Sequence, residues 1–318
     1  MEKIAKEYLK LYHDPEKTKL VYTYTDMDDY LNQQLETYHW LEEKAKEEDR
    51  ENNIFIYLTL IQNPYLLGLA IAFQRQDYEL LNNAIYHDSK HSLLKLPGGG
   101  YDHSGDFWSV IDAMACNNIE ALEACLPVEL GLGKNGYPAF VVANNLLMAL
   151  WYNNEAWMKT SYPAGVKMLK QKKSLWEKAI VSFLIALADR NMHQASEALS
   201  NLCKSSRRIQ RPKLYKCLAI EAHGLYQIAR HLLSEDDFNQ IEMPDNHNFC
   251  KGLVNWQKEH NYPEKGELIV DYPGELQFMN RILKLPLPKN ILKGTGKRQM
   301  IDTDRMEVEL MELYDAKR

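Results

Sequence analysis

The segment HDSKH places two histidines four residues apart, at His87 and His91. On an α-helix that spacing turns both imidazoles to one face, where they can ligate one metal ion. A zinc peptidase carries Glu directly after the first histidine as general base, whereas this sequence has the shorter Asp88. Asp102 and His103 follow closely and could complete a metal or catalytic cluster. Because the segment runs into a loop, we expect a polar helix end here and no metal site.

The most distinctive loop is PGGGYDHSG, residues 97–105. The glycines from Gly98 to Gly100 free the backbone to turn sharply or to approach a ligand. The loop does not follow a strand and has neither GxGxxG nor GxxxxGK[ST], so it is not a nucleotide cradle. We interpret it as a connector between helical pairs, with an interaction loop as the alternative.

The sequence has no recognisable Ser/His/Asp or Cys/His catalytic arrangement. We therefore predict a protein that is not an enzyme and that binds no cofactor or metal. The five cysteines are widely spaced and form no CxxC pair, which argues against a zinc ribbon or a redox site. Reduced thiols are expected, as is usual in the cytoplasm. Four of the cysteines lie among apolar helical neighbours and are expected to be buried, namely Cys116, Cys125, Cys203 and Cys217; the fifth is Cys250.

Composition is that of an ordinary water-soluble globular protein. The 318 residues are 45% apolar and 26% charged, which excludes a disordered tail, a collagen-like repeat and a small disulfide scaffold. No uncharged apolar run reaches 18 residues, so we predict no membrane span. Acids and bases alternate at the N-terminus, where a secretory leader would be apolar. We expect a cytoplasmic protein.

Helical periodicity covers almost the whole chain. We predict an all-α fold, an irregular stack of antiparallel helical hairpins that is either α-solenoid-like or a compact multi-helix domain, with little or no sheet. The segments 66–85, 107–126 and 181–202 share a layout of apolar helix, polar turn and second helix, with Ala72, Ala115 and Ala188 near the turns. Their spacing is irregular, unlike the 34-residue period of tetratricopeptide repeats.

The remaining segments fit the same architecture. Residues 54–74 are expected to form a buried central element broken at Pro64, and 137–170 and 174–190 to form long helices. The domain prediction is one helical-hairpin domain over 1–301, including acidic N-terminal helices over 1–52, followed by a C-terminal amphipathic helix over 302–318.

Charge is distributed unevenly along the chain. Residues 1–52 carry 14 acids and 8 bases, residues 53–301 carry 24 and 27, and residues 302–318 carry 6 and 3. The acidic ends therefore flank a slightly basic body. Two stretches without acids, 204–216 and 281–298, contain only one aromatic residue, Tyr215, and are expected to be solvated loops. With a sequence pI near 6.0, they argue against nucleic-acid binding.

The acidic N-terminal segment is the candidate partner-binding surface. A helix is predicted over 26–50 with Thr25 as N-cap, and Trp40 on it is the best candidate for an exposed aromatic. Complementary charge at such a surface speeds association and excludes wrong partners. A solvated acidic helix face is the alternative. The candidate residues are Asp26, Asp28, Asp29, Trp40, Glu42, Glu43, Glu47, Glu48 and Asp49.

The order of the helical units along the chain also resembles that of a known protein family. The helical unit from Trp108 to Leu126, the unit LWEKAIVSFLIALADRNMHQASEAL and the late turn DYPGEL resemble the all-α immunity proteins of bacterial polymorphic toxin, contact-dependent or type VI secretion systems, in particular the Imm49-like group. The resemblance covers roughly residues 55–285 and lies in layout more than in specific motifs. It does not extend to the acidic N-terminal segment or the C-terminal helix.

The resemblance implies an antitoxin that binds a cognate protein toxin and blocks it without chemistry. The expected cytoplasmic location and the acidic surface favour a basic toxin that acts in the cytoplasm. A helical-repeat adaptor that binds a peptide or protein in a concave groove is the competing interpretation. A metal-dependent enzyme that uses His87, His91, Asp102 and His103 is a third.

Overall fold

A computed structural model describes residues 2–18, 23–95, 105–296 and 299–316. Seventeen α-helices and one two-stranded ribbon account for its regular structure, apart from three short 3₁₀ turns. This confirms the predicted all-α multi-helix stack. The α-helices α1 to α17 are Glu2–Tyr12, Pro15–Thr18, Met27–Glu47, Ile54–Leu60, Tyr65–Arg75, Tyr78–Leu94, Gly105–Met114, Ile119–Cys125, Pro138–Trp151, Glu155–Leu169, Leu175–Ala188, Met192–Ser206, Ile220–Leu232, Glu235–Phe238, Lys251–Glu259, Gln277–Leu283 and Thr303–Asp315. The 3₁₀ turns are Val128–Leu130, Leu214–Lys216 and Gly274–Leu276, and the antiparallel strands β1 and β2 are Leu292–Lys293 and Met300–Ile301.

A two-residue turn recurs between paired helices. Between α5 and α6, Gln76 adopts the left-handed conformation at φ 53°. The N–H of Asp77 then donates to the Ala72 carbonyl at 2.9 Å, while the Asp77 carboxylate accepts from the N–H of Leu80 at 2.9 Å. One acidic residue therefore ends the first helix and caps the second. The same backbone geometry recurs at Asn117–Asn118, Asn153–Asn154 and Arg190–Asn191, whose bonds to Ala113, Ala149 and Ala186 measure 3.2, 2.9 and 2.8 Å.

Alanine accepts the closing hydrogen bond in all four of these turns, and each of these alanines is at most 1% exposed. A methyl side chain at this position lets the two helices of a hairpin approach closely. The sequence placed the small residues at Ala115 and Ala188, two positions later than the bonding residues Ala113 and Ala186. It also predicted 137–170 as continuous helix, whereas the chain turns at Asn153 between α9 and α10.

The buried apolar residues form two clusters. The central core is built from residues between Phe107 and Val254. The terminal core joins residues from both ends of the chain, among them Tyr8 of α1, Leu58 of α4 and Leu310 of α17. Helix α17, which begins at Thr303, therefore packs on the same apolar cluster as the first helices.

Helices α7 and α13 meet at an unusually close crossing. A Cβ atom added at Gly224 would lie 1.9 Å from the backbone oxygen of Ile111, well inside van der Waals contact. Only glycine fits there, because the clashing atom belongs to the backbone and cannot rotate away.

The apolar stretch 54–74 divides at Pro64, as predicted. Helix α4 ends at Leu60 and α5 begins at Tyr65, and the two axes meet at 51°. Among the described residues, no single helix has the length and hydrophobicity needed to cross a membrane, and α4 and α5 meet that test only as a bent pair. In α5 the side chains of Leu67 and Phe73 are buried in the terminal core.

We predict that Gln76→Gly stabilises the protein by up to about 1 kcal/mol. A left-handed conformation costs a residue with a Cβ about 1–2 kcal/mol, and the greater entropy of glycine in the unfolded chain offsets part of the gain. The exposed Gln74, still within α5, is the matched control. Gln74→Gly should lose about 1 kcal/mol. Urea denaturation that shows the same sign for both variants would contradict the assigned turn.

We predict that Gly224→Ala lowers the free energy of unfolding by about 3 kcal/mol or more, because α7 and α13 must separate to admit the methyl group. At Gly133 the nearest atom to an added Cβ is 3.5 Å away. Gly133→Ala should therefore change the denaturation midpoint little. Equal midpoints for the two variants would show that the α7–α13 crossing is looser than described.

Candidate functional site

Helix α3 carries most of the predicted acidic surface, and its first acids have structural roles. Asp26 caps the helix by accepting from the N–H of Asp29 at 2.9 Å, so α3 begins at Met27. The Asp29 carboxylate accepts from the Thr25 N–H at 2.8 Å. The predicted cap at Thr25 is therefore wrong: Thr25 donates to the first turn, and Asp26 does the capping.

Glu42 is half-buried and engaged within the protein. It accepts hydrogen bonds from the Tyr57 hydroxyl at 2.5 Å and from the Asn52 amide at 3.0 Å. The Tyr57 bond in particular lowers the pKa of Glu42. These contacts hold the end of α3 against α4, so this carboxylate serves the fold.

The last acids of α3 alternate with bases. Lys44 donates to Glu47 at 2.5 Å, and Arg50 donates to Glu48 at 2.6 Å. Asp49 is exposed and takes the left-handed conformation at φ 48° just past the helix end. Exposed pairs of this kind stabilise little, but they reduce the net charge of the surface.

The surface that remains open is a stripe along α3. Trp40 is 52% exposed, which confirms the exposure predicted for it. Glu36 and Glu43 lie one helical turn to either side and are exposed. Within the described residues, neither carboxylate makes an ion pair or a hydrogen bond. Glu43 was predicted from the sequence and Glu36 was not, although the four-residue spacing of Glu36 from Trp40 places it on the same helix face. Asp28 is exposed in the first turn of α3.

A groove of about 540 Å³ runs beside Trp40. The Gln34 side chain fixes its floor, because its carbonyl oxygen accepts from the Gln62 N–H at 2.7 Å and its amide donates to the Tyr24 hydroxyl at 3.2 Å. Leu60 contributes a second exposed apolar side chain. The lining residues are Tyr24, Gln33, Gln34, Glu36, Thr37, Trp40, Leu60 and Gln62.

His87 and His91 lie within α6, which continues to Leu94, so the polar helix end expected there is wrong. Both side chains are 0% exposed, and their rings stack with centroids 6.4 Å apart. Neither ring nitrogen of His87 has a hydrogen-bond partner within the described chain. Burial lowers the pKa of His87 to about 3 and holds that of His91 well below its usual value.

Two residues of the metal cluster considered from the sequence, Asp102 and His103, lie outside the part of the chain that the structure describes. Across residues 2–18, 23–95, 105–296 and 299–316, no three His, Cys, Asp or Glu side chains are placed to hold a metal ion together. Asp102, His103 and the loop from Gly98 to Gly100 lie outside these ranges.

A carboxylate cluster that the sequence did not predict lies between α6, α7 and α13, with Glu221 buried and Asp88 and Asp112 half-buried. Burial raises the pKa of Asp88 to about 6 and that of Asp112 well above its usual value, and the charge of Glu221 raises the pKa of Asp112 further. Arg211 donates to Glu221, and its guanidinium lies 3.8 Å from the centre of the Trp108 ring. The cue in the sequence was an acid inside the apolar run of α7, at Asp112.

The stretch 204–216 is partly neutralised by this packing. Besides the pair formed by Arg211, Arg207 donates to both carboxylate oxygens of Glu7 on α1, at 2.8 and 2.6 Å. Two of its six cations therefore join helices, where solvated loop surface was expected. All five cysteines are buried and free, which confirms the burial predicted for Cys116, Cys125, Cys203 and Cys217 and shows that Cys250 is buried as well.

Comparisons with family models, with curated proteins and with solved structures find no match to this chain. The architecture defines an all-α stack of helical hairpins, and what it does is argued from its surface.

We predict that His87→Leu removes a pH-dependent cost. His87 binds a proton near pH 6.5 in the unfolded chain but only near pH 3 in the folded chain. The free energy of unfolding of the wild type therefore falls as the pH drops from about 6.5 towards 3. Relative to wild type, the variant should gain about 2 kcal/mol more at pH 5 than at pH 7.

Urea titrations of wild type and His87→Leu at the two pH values measure this difference. A pH slope identical to wild type in His87→Leu would show that His87 is solvated or paired in the folded state.

Proposed function

We propose that this chain is an immunity protein that binds and neutralises a cognate bacterial protein toxin through the α3 surface. The observation that carries the proposal is Trp40, half-exposed among acids and beside a groove with a fixed floor. A large aromatic left in water on a rigid helix is the type of residue that dominates binding energy at protein interfaces.

The charge distribution supports the same surface. Helices α1, α3 and α17 all contribute to the terminal core or pack against it. The chain segments that supply these helices, 1–52 and 302–318, carry net charges of −6 and −3. An acidic surface steers a basic partner and raises its association rate.

The packing favours an antitoxin over the adaptor. An adaptor of the solenoid type needs an open, curved array in which each repeat touches only its neighbours. Here the hydroxyls of Tyr30 on α3 and Tyr272, 242 residues apart, meet at 2.8 Å, so distant parts of the stack touch each other directly. A closed body presents a local convex surface better than a long trough.

The proposal is tested by growth protection. The gene beside this one should encode a secreted protein with a variable C-terminal domain, and that domain alone should stop growth in a bacterial host. Co-expression of this chain should restore growth, and the two proteins should elute together in size-exclusion chromatography. A toxic neighbouring domain that this chain neither binds nor neutralises would contradict the proposal.

We predict that Trp40→Ala weakens binding of that domain by about 30-fold or more, the range of an interface hot spot. Leu175 is the matched control because it is equally exposed, at 52%, on another helix. Leu175→Ala should leave the affinity unchanged in isothermal titration calorimetry. Equal losses for the two variants would exclude α3 as the binding surface.

A further inference from the structure

Three neighbouring side chains on α3, one aromatic and two acidic, have no polar partner within the described chain. Trp40 exposes an indole face, and Glu36 and Glu43 flank it at a spacing of one helical turn. Neither carboxylate has an intramolecular ion pair within the described chain, although Glu42, Glu47 and Glu48 nearby all have polar partners. The aromatic face and the free negative charges therefore occupy one patch.

Elsewhere this chain contains the same combination with its cation in place. Arg211 lies over Trp108 at 3.8 Å, and the same guanidinium donates to the Glu221 carboxylate. Indole and carboxylate thus hold one guanidinium, the indole through its face and the carboxylate through charge-assisted hydrogen bonds. The α3 patch presents the indole and the carboxylates and lacks the guanidinium.

We propose that Trp40, Glu36 and Glu43 form a receptor for one arginine side chain on the surface of a basic protein partner. The guanidinium stacks on the indole and donates to either carboxylate, and its aliphatic stem lies along Leu60 at the groove wall. Arginine fits better than lysine, because a planar guanidinium can stack and donate in two directions at once. The identity of the partner as a toxin rests on the proposed function.

Charge argues against a second copy of this chain as the occupant. In a symmetric dimer each α3 would meet the same patch of its partner, and the free carboxylates would face one another. Like charges juxtaposed at an interface disfavour it. A basic partner removes this repulsion.

The receptor is tested without any toxin by NMR of the full chain. The indole N–H resonance of Trp40, assigned by its loss in Trp40→Phe, should shift saturably when argininamide is added. The affinity for lysinamide should be at least about threefold lower than for argininamide, because an ammonium group cannot stack on the indole as a planar guanidinium does. Glu36→Gln with Glu43→Gln should abolish the argininamide response. A Trp40 signal that ignores argininamide, or that responds equally in the double variant, overturns the inference.

The second arm uses the toxic domain. The Glu36→Gln and Glu43→Gln double variant should weaken its binding by about tenfold or more, with most of the loss at low salt. Glu123→Gln with Glu197→Gln changes the net charge equally at two exposed positions on α8 and α12 and should change affinity little. Equal losses for the two double variants would mean a diffuse charge effect and overturn the receptor.

The two proposals can fail separately. Growth protection with no argininamide response overturns the receptor and leaves the antitoxin function standing. A specific argininamide response without toxin binding leaves the receptor standing and overturns the toxin as its partner. Self-association of this chain that argininamide dissolves would contradict the basic partner, because a second copy would then be the occupant.

Discussion

The fold depends on a turn in which one residue satisfies two helices at once. At Asp77 and Asn191 the backbone N–H closes the preceding helix and the side chain caps the following one. The ends of a helix leave backbone groups without partners, and a hairpin turn brings two such ends together. A two-residue turn that serves both ends fixes the relative position of the helices and lets buried alanines set their separation. Irregular hairpin spacing is then tolerated, since each turn is local.

The fixed packing of the helices determines which acids of α3 remain available to bind a partner. Carboxylates at Asp26, Glu42 and Glu48 already have hydrogen-bond partners inside the molecule, so their charge is partly used. Trp40 and its two flanking carboxylates have no such partners in the described chain. A surface that looks uniformly acidic in the sequence is therefore divided into a structural part and an open part. The open part is small, and it is preorganised because the floor of the adjacent groove is held by Gln34.

The fold class and most helices could be predicted from local sequence patterns. The candidate site could be predicted only in part, because it depends on contacts between residues far apart in the sequence. Helical periodicity and the cap at Ser174, which forms a complete capping box with Glu177, are legible over a few residues. The break at Asn153 was missed although Asn153, Asn154 and Glu155 interrupt the apolar run there, and although alanine five residues before an Asp or Asn marks all four turns. Glu42 was predicted as open surface, since its partners Tyr57 and Asn52 are set by packing of α3 on α4. The cluster of Asp88, Asp112 and Glu221 draws on three helices, and no short window shows it.

The two cores also imply an order of assembly. The central core uses a continuous stretch of chain, whereas the terminal core joins helices made first to helices made last. The hydroxyls of Tyr30 and Tyr272, 242 residues apart, meet at 2.8 Å. During synthesis the middle of the chain can collapse before α3 contacts Tyr272, because contacts between such distant residues form slowly. The helix that bears Trp40 thus completes its contacts only after the segment around Tyr272 has been made.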